Sequence, residues 1–355
     1  MKILLIGTGR WGSNHLRVLS GLDVDLYVAE VSAERREKCL EQGIPADHVT
    51  SDYRTFAEDV DAVDIVTPAS THFALCEEFL DMGKDVFVEK PITETVPQAL
   101  ALAARADAGD RILQVGHIFR YDPAADYIRS FLGSGKAGEI RSLCGNFSGF
   151  KRPRSDGGVT ISDALHFIDF FNYIMEKIPD RVLARCEDLL RRGMDDMAWV
   201  WMSYDGIPAL VEANYFSVNK NRLVTITGDK ATLVCDFAAS QDKIRVYRNR
   251  HILDEDTWKA VGGEVIHQEI PPAEPLLEEL KHFVGCVRDR TRPKAVALDG
   301  VNSLRVVEAA MRSHNEGKEI FLEPEPATTC SRAPATPGRG LNPRRTRALP
   351  RPDPG

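Results

Sequence analysis

The chain has 355 residues, 43% of them apolar and 28% charged, with a formal net charge of −8; this is the make-up of a two-domain globular protein, not of a disordered one. The acidic balance excludes a protein built mainly to bind nucleic acid or an anionic membrane surface. No apolar run approaches the roughly 18 residues of a membrane span, and the apolar stretch in MKILLIG is too short for a secretory signal.

The first third alternates short apolar runs with amphipathic stretches, the pattern of βαβ units on a parallel sheet. Strands are predicted at 2–7, 25–30, 62–68, 85–91 and 112–117. NHLRVLSGL follows the first of them as a helix, and further helices fit 33–42, 72–82 and 94–108. From about residue 140 the strand-like runs crowd together: RSLCGNFSGF, DRVLARCEDLL, MAWVWMSY, ALVEANYFSV, RLVTITGD, ATLVCDF and KIRVYR. Such spacing predicts a mostly antiparallel sheet, with helices at about 159–176, 275–289 and 300–316 on one face. Residues 324–355 hold eight of the 20 prolines and six arginines against two acids. Without apolar periodicity they cannot build a core, so a disordered tail is expected there.

The seven cysteines (Cys39, Cys76, Cys144, Cys186, Cys235, Cys286, Cys330) are odd in number and evenly spread, with no CxxC pair. This predicts neither a disulfide framework nor a metal site, and fits a reducing cytoplasm.

Between the first strand and the first helix lies Gly7-Thr8-Gly9-Arg10-Trp11-Gly12, a GxGxxG sequence in the context that gives it meaning. The first glycine permits a tight turn, the second lets backbone approach a pyrophosphate, and the third allows close helix–strand packing. The helix N-terminus then faces the phosphates. Glu30 ends the second strand, 18 residues past Gly12. A carboxylate there accepts hydrogen bonds from the adenosine ribose hydroxyls and repels a 2′-phosphate, which favours NAD over NADP, although Arg35 and Arg36 are near. Gly133-Ser134-Gly135-Lys136 lacks the spacing of a nucleoside-triphosphate loop and reads as a helix-ending turn.

Several motifs in order resemble the Gfo/Idh/MocA family of NAD(P)-dependent oxidoreductases. They are GTGRWG, Val66-Thr67-Pro68 with Thr71-His72, Glu89-Lys90-Pro91, Gly116-His117, Arg120-Tyr121-Asp122-Pro123, GGVTISDALHFID and LDGVNSLRVVEAAM, spanning about residues 1–323. The resemblance implies a Rossmann domain (1–120) followed by an α/β domain (121–323) with a large, mostly antiparallel open sheet that binds substrate and makes homodimer or homotetramer contacts. It implies hydride transfer between a secondary hydroxyl of a sugar, cyclitol or nucleotide-sugar and nicotinamide. It also places Thr67, Pro68, His72, Glu89 and Lys90 beside the cofactor.

Alcohol oxidation needs a base for the hydroxyl proton and a cation for the developing alkoxide. His166 suits the first role and Lys90, at the carboxyl end of a strand, the second. At helical spacing Ser162, Asp163, His166, Asp169 and Tyr173 form a narrow polar stripe on an otherwise apolar helix. Such a stripe is costly unless it lines a cavity or is internally paired. Asp163 is expected to hold the His166 tautomer, with Ser162 or Asp169 as alternatives. Arg120, Asp169 and Tyr173 are candidate substrate contacts, Arg120 being equally suited to an interdomain salt bridge. Lys151, Arg152 and Arg154, just before the helix, suit either a phosphate group or a solvated loop. A keto-sugar-nucleotide reductase uses the same residues in reverse, and a ligand sensor would keep the fold without turnover.

Overall fold

A computed structural model describes residues 1–323; the expected tail at 324–355 lies outside the described residues. Six parallel strands form the first sheet: β1 (Lys2–Ile6), β2 (Asp25–Ala29), β3 (Val49–Thr50), β4 (Ala62–Ile65), β5 (Asp85–Glu89) and β6 (Leu113–Gly116). Their spatial order, β3-β2-β1-β4-β5-β6, reverses direction between β1 and β4 and opens the crevice in which doubly wound sheets bind ligands. Strands β4 and β5 are buried at every position, because helices cover both faces. The connecting helices are α1 (Gly12–Leu19), α2 (Ala33–Glu41), α3 (Ala69–Asp81) and α4 (Val96–Ala108). In this sheet only two-residue β3 is absent from the sequence expectation, being too short to show a period.

Helix α5 (Pro123–Gly133) leads into the second sheet. Its strands are β7 (Ile140–Ser148), β8 (Arg181–Glu187), β9 (Met197–Tyr204), β10 (Ile207–Asn214), β11 (Asn221–Gly228), β12 (Thr232–Asp236), β13 (Ile244–Tyr247), β16 (Val265–Gln268) and β17 (Ile320–Phe321), while β14 (Arg250–Asp254) and β15 (Thr257–Val261) pair as a separate hairpin. The nine strands run β16-β13-β12-β11-β7-β10-β9-β8-β17, antiparallel except for the β7–β10 pair. Strands β14 to β17 carry too little alternation to be expected from sequence.

A π-helical turn, Thr160–Ala164, opens helix α6 (Leu165–Met175) on the inner face of this sheet. Packing is so close that a Cβ on Gly145 of β7 would meet Phe167 Cδ2 at 2.9 Å. The inward residues Leu143 and Phe147, Phe167, Phe170 and Phe171 from α6, and Val200 and Val211 build one core.

The last two helices tie the halves together. Helix α7 (Pro275–Asp289) follows the second sheet in the chain but returns to the first, packing Leu276, Leu280 and Phe283 beside Ile3, Leu5 and Leu16. Helix α8 (Ala297–Glu316) places Val301 and Leu304 in the Rossmann core and Val306, Val307 and Ala310 in the other. Rossmann strands and the α6 helix are thereby held in fixed relation, which positions the site between them.

Candidate active site and cofactor crevice

The turn after β1 has the shape a dinucleotide needs. Gly7 adopts φ +91°, and a Cβ on Gly12 would lie 2.1 Å from the Gly7 carbonyl oxygen, so neither position admits a side chain. A Cβ on Gly9 would have Arg35 Nη1 as its nearest neighbour, at 3.7 Å, which leaves this backbone open to a pyrophosphate. Helix α1 starts there with no side-chain cap, its Ser13 and Asn14 amides bonding the Gly9 and Trp11 carbonyls and its positive dipole end directed at the turn.

Glu30 follows β2, where the sequence pattern expects the adenosine ribose. Oε2 accepts from the Thr8 amide at 2.7 Å and the Thr8 hydroxyl at 2.9 Å, and Oε1 from the Ser32 amide at 2.9 Å. Burial pushes this carboxyl up, but the Ser32 and Thr8 donors win and hold it below the usual range, so it is ionised at neutral pH. Thr8 therefore fixes Glu30, its amide and hydroxyl both being spent on that carboxylate. Arg36 is spent on the Glu30 and Val31 carbonyls, whereas Arg35 stands 3.8 Å from Glu30 with half its side chain exposed. Glu30→Ser is expected to lower the NAD-to-NADP preference in kcat/KM by roughly 100-fold, two charge-assisted hydrogen bonds being worth about that much. An unchanged ratio in steady-state kinetics with both cofactors would remove Glu30 from this role.

At the nicotinamide end, Thr67 and Thr71 share a 2.6 Å hydroxyl contact at the start of α3, next to Pro68. His72 lies beneath, almost wholly buried, with Nδ1 2.8 Å from the Pro91 carbonyl and Nε2 3.0 Å from that of Thr67. It fastens the Thr67 loop to the segment after β5, both ring nitrogens being occupied.

Glu89 ends β5 in a buried network absent from the sequence expectations. Its Oε1 accepts from Trp11 Nε1 at 2.7 Å and lies 3.2 Å from His15 Nε2; Oε2 accepts from the Lys90 amide at 3.1 Å. The other ring nitrogen of His15 is 2.8 Å from Asp64 Oδ2. Burial alone would lower the His15 pKa, but Asp64 and Glu89 raise it to about 10. Two sequence signals point here: a histidine on the first turn of α1, and an acid inside the buried run AVDIV.

Lys90 crosses to the second domain and donates to the Ser162 carbonyl at 2.6 Å, on the π-helical turn that leads into His166. Burial, then the nearby Arg154, lower the Lys90 pKa to about 8. His166 is seated by rings: it stacks on Phe147 (5.1 Å between centroids, 16° between planes) and meets Phe119 edge-on at 5.3 Å. Burial, then Lys90, His117, Arg222 and Lys151, drive its pKa well below the ordinary value, so the imidazole is neutral at pH 7. The structure thus brings Lys90 and His166 into one electrostatic site.

Two expectations need correction. Asp163 does not hold His166: its carboxylate is 2.6 Å from Lys151 Nζ, and among the described residues no group hydrogen-bonds the His166 ring. Ser162 does not replace it, since its hydroxyl is taken by the Gly158 carbonyl and the Tyr215 hydroxyl. Arg120, Asp169 and Tyr173 do not offer themselves to a substrate either. Arg120 Nε and Nη2 grip Asp169 at 2.9 and 2.6 Å, Nη1 reaches the Lys294 carbonyl and Asp299, and the guanidinium covers Tyr173 at 4.7 Å. This buried cluster is the interdomain salt bridge. His117 stands beside it, buried, with Nδ1 3.5 Å from Asp169 Oδ2. The α6 stripe is therefore divided, its first turn facing the site and its last turns the domain joint.

Among the described residues no group of three or more histidines, cysteines or acids is arranged to hold a metal, and no helix is long and apolar enough to cross a membrane.

Comparison with known proteins agrees with this geometry. Residues 1–117 match the family model described as "Oxidoreductase family, NAD-binding Rossmann fold" (GFO_IDH_MocA), and residues 132–322 match its "C-terminal alpha/beta domain" model. A UDP-N-acetylglucosamine 3-dehydrogenase from Acidithiobacillus ferrooxidans is 34% identical over 336 residues, covering 91% of this chain and 99% of that protein. An inositol 2-dehydrogenase from Rhizobium meliloti is 23% identical over 90% of this chain and 98% of its own. The crystal structure of an aldose-aldose oxidoreductase from Caulobacter crescentus superposes with a TM-score of 0.77 at 23% identity, over 91% of this chain and 99% of that one.

Proposed function

We propose a function on one premise: the chain belongs to the Gfo/Idh/MocA oxidoreductase family, matched in both of its domains. It is an NAD-dependent dehydrogenase that moves hydride between a secondary hydroxyl of a sugar or cyclitol and nicotinamide. The observation that carries this is the 2.6 Å bond from Lys90 Nζ to the Ser162 carbonyl, which joins the end of a cofactor-crevice strand to the helix bearing His166.

NAD, when bound, supplies the hydride acceptor. The chain's own part is protonic and electrostatic. Neutral His166 receives the hydroxyl proton. Lys90, oriented by the Ser162 carbonyl, places its ammonium where negative charge develops on the substrate oxygen. The rings of Phe147 and Phe119 fix the imidazole plane and keep water from it. Glu89, locked by Trp11 and His15, sets the backbone from which Lys90 extends.

The test is NADH formation, followed by absorbance, over a panel of inositols, free sugars and nucleotide-sugars. At least one member is expected to give sustained turnover with NAD. Absence of turnover across the panel, with NAD bound, would count against the reading.

The assembly proposed is a homo-oligomer built on the outer face of the nine-stranded sheet. Leu183, Trp201, Leu210 and Cys144 stand side by side across four strands there, and Leu183 and Trp201 are each 43% exposed. An apolar row of that length on a sheet face marks an interface. Trp201→Glu is expected to convert the oligomer to monomer in light scattering; a wild-type monomer would refute the assembly. A reducing cytoplasm is proposed from the six described cysteines, all of which are free thiols.

A further inference from the structure

The surroundings of the His166–Phe147 stack are cationic beyond what alcohol oxidation requires. Arg222, at the start of β11, lies with its guanidinium 3.5 Å from the centre of the Phe147 ring, the same ring on which His166 stacks. Its Nη1 is fixed by the Ser148 carbonyl at 2.9 Å and the Asn221 carbonyl at 2.5 Å, while Nε and Nη2 make no hydrogen bond among the described residues. Asn221 is itself tied to the Ser148 hydroxyl at 3.0 Å, so the seat is rigid. Lys151 enters from the loop before α6, 5.4 Å from the Phe147 ring centre and 5.3 Å from that of Tyr215. Arg154 follows on the same loop, within electrostatic reach of Lys90.

The acids near these cations do not balance them. Asp163 is paired with Lys151 and Asp156 with Arg154. Glu89 is taken up by His15 and Trp11, and Asp236 on β12, within electrostatic reach of Arg222, accepts from the Ala238 amide. Neither Lys90 nor Arg222 forms an ion pair among the described residues. Lys90 has its role with the substrate oxygen; Arg222 has none there. Asp163 and Asp236 act on Arg222 only from outside ion-pair distance, and a half-buried positive charge without a paired counter-charge is costly, a cost that an arriving anion offsets. A guanidinium with one edge anchored and two donors unused is the form in which proteins receive phosphate or carboxylate.

We propose that the substrate carries a negatively charged group, a phosphate ester or a carboxylate, which Arg222 and Lys151 receive beside the His166–Phe147 stack. The inference rests on the dehydrogenase reading above and narrows its substrate class. On binding, the anion takes Nε and Nη2 of Arg222 and shares the Lys151 ammonium with Asp163. A neutral polyol would leave both donors of Arg222 without a partner.

The first measurement is calorimetric titration of inorganic pyrophosphate into the NAD-loaded protein, so that the dinucleotide's own phosphate site is filled. Binding is expected, weakened at least tenfold in Arg222→Gln and only partly restored in Arg222→Lys, which returns the charge without the two-pronged fork. Failure of the wild type to bind, or equal binding by Arg222→Gln, overturns the proposal whatever the turnover assays give. The second measurement is NADH formation with glucose 6-phosphate, UDP-glucose and glucuronate against glucose and myo-inositol, which separates the three sources of charge. A charged substrate is expected to exceed its neutral counterparts in kcat/KM, and the loss in Arg222→Gln to fall on KM. Turnover confined to the neutral members overturns this inference and leaves the dehydrogenase reading intact. No turnover by any member overturns that reading, while the titration still decides the anion site.

Discussion

Lys90→Met is expected to lower kcat by roughly 10²–10³-fold, the usual cost of removing one group that stabilises developing oxyanion charge, with NAD affinity changed by only a few-fold. Two features set this expectation. The ammonium is half-buried and positioned by the Ser162 carbonyl at 2.6 Å, so methionine removes the charge and keeps the volume. The proposed cofactor contacts, in turn, centre on Gly7–Gly12 and Glu30, and none of them is made by this ammonium. The wild-type pH profile supplies a second reading of the same group. Burial and Arg154 lower the Lys90 pKa to about 8, so the fraction carrying the needed proton falls as pH rises through that value. Oxidation should therefore show an alkaline limb at about pH 8. His166 sits well below its ordinary pKa and stays neutral across the same range, so it contributes no limb there. His166→Ala should remove most turnover, again with NAD binding kept. Rapid single-turnover measurements on both variants check this. If both retain wild-type rates, proton removal and oxyanion stabilisation lie with other groups.

How much of this is legible in sequence depends on how local each feature is. The strand, glycine turn and helix at 2–19 are specified by adjacent residues, and the structure follows them closely. Glu30 is equally readable, since the end of β2 is fixed by the length of the βαβ unit. The Lys90–His166 pairing comes from chain-order motifs and from the chemistry the two residue types suit. Asp163 is not readable, for a definite physical reason. The turn at Thr160–Ala164 is π-helical, so a 3.6-residue period does not describe it and cannot say which face Asp163 shares with His166. Arg120 and Asp169 show another limit. A buried polar stripe has two outcomes, cavity lining or internal pairing, and only α8 folding back with Ser303 and Asp299 decides for pairing. The return of α7 to the Rossmann sheet is hidden for the same reason, since an amphipathic helix does not name the surface it covers.

His15→Leu tests the deepest feature that composition and motif do not reveal, and its expected effect is on stability. The imidazole lies between Asp64 at 2.8 Å and Glu89 at 3.2 Å, with none of its own surface exposed. From α7 the carboxyl of Glu279 faces the same network; burial, then the charge of Glu89, hold it well above the usual carboxylate range, so it enters as a neutral acid. His15 is thus the cation that makes two buried carboxylates tolerable. Leucine would leave Asp64 and Glu89 without it, and breaking a buried charge network by removing one partner costs about 3–5 kcal/mol. The pH dependence has a fixed sign. His15 is raised from 6.5 in the unfolded chain to about 10 in the fold. Its contribution is therefore complete below about 6.5, shrinks as pH rises, and is gone above about 10. The difference in melting temperature between wild type and His15→Leu should be largest near pH 6.5 and narrow steadily toward pH 10. Because Glu89 also holds Trp11 Nε1 and the Lys90 amide, the variant should raise KM for NAD as well as melt earlier. A gap in melting temperature that stayed constant across that window would show that His15 is neutral in the fold and that the carboxylates are balanced by other means.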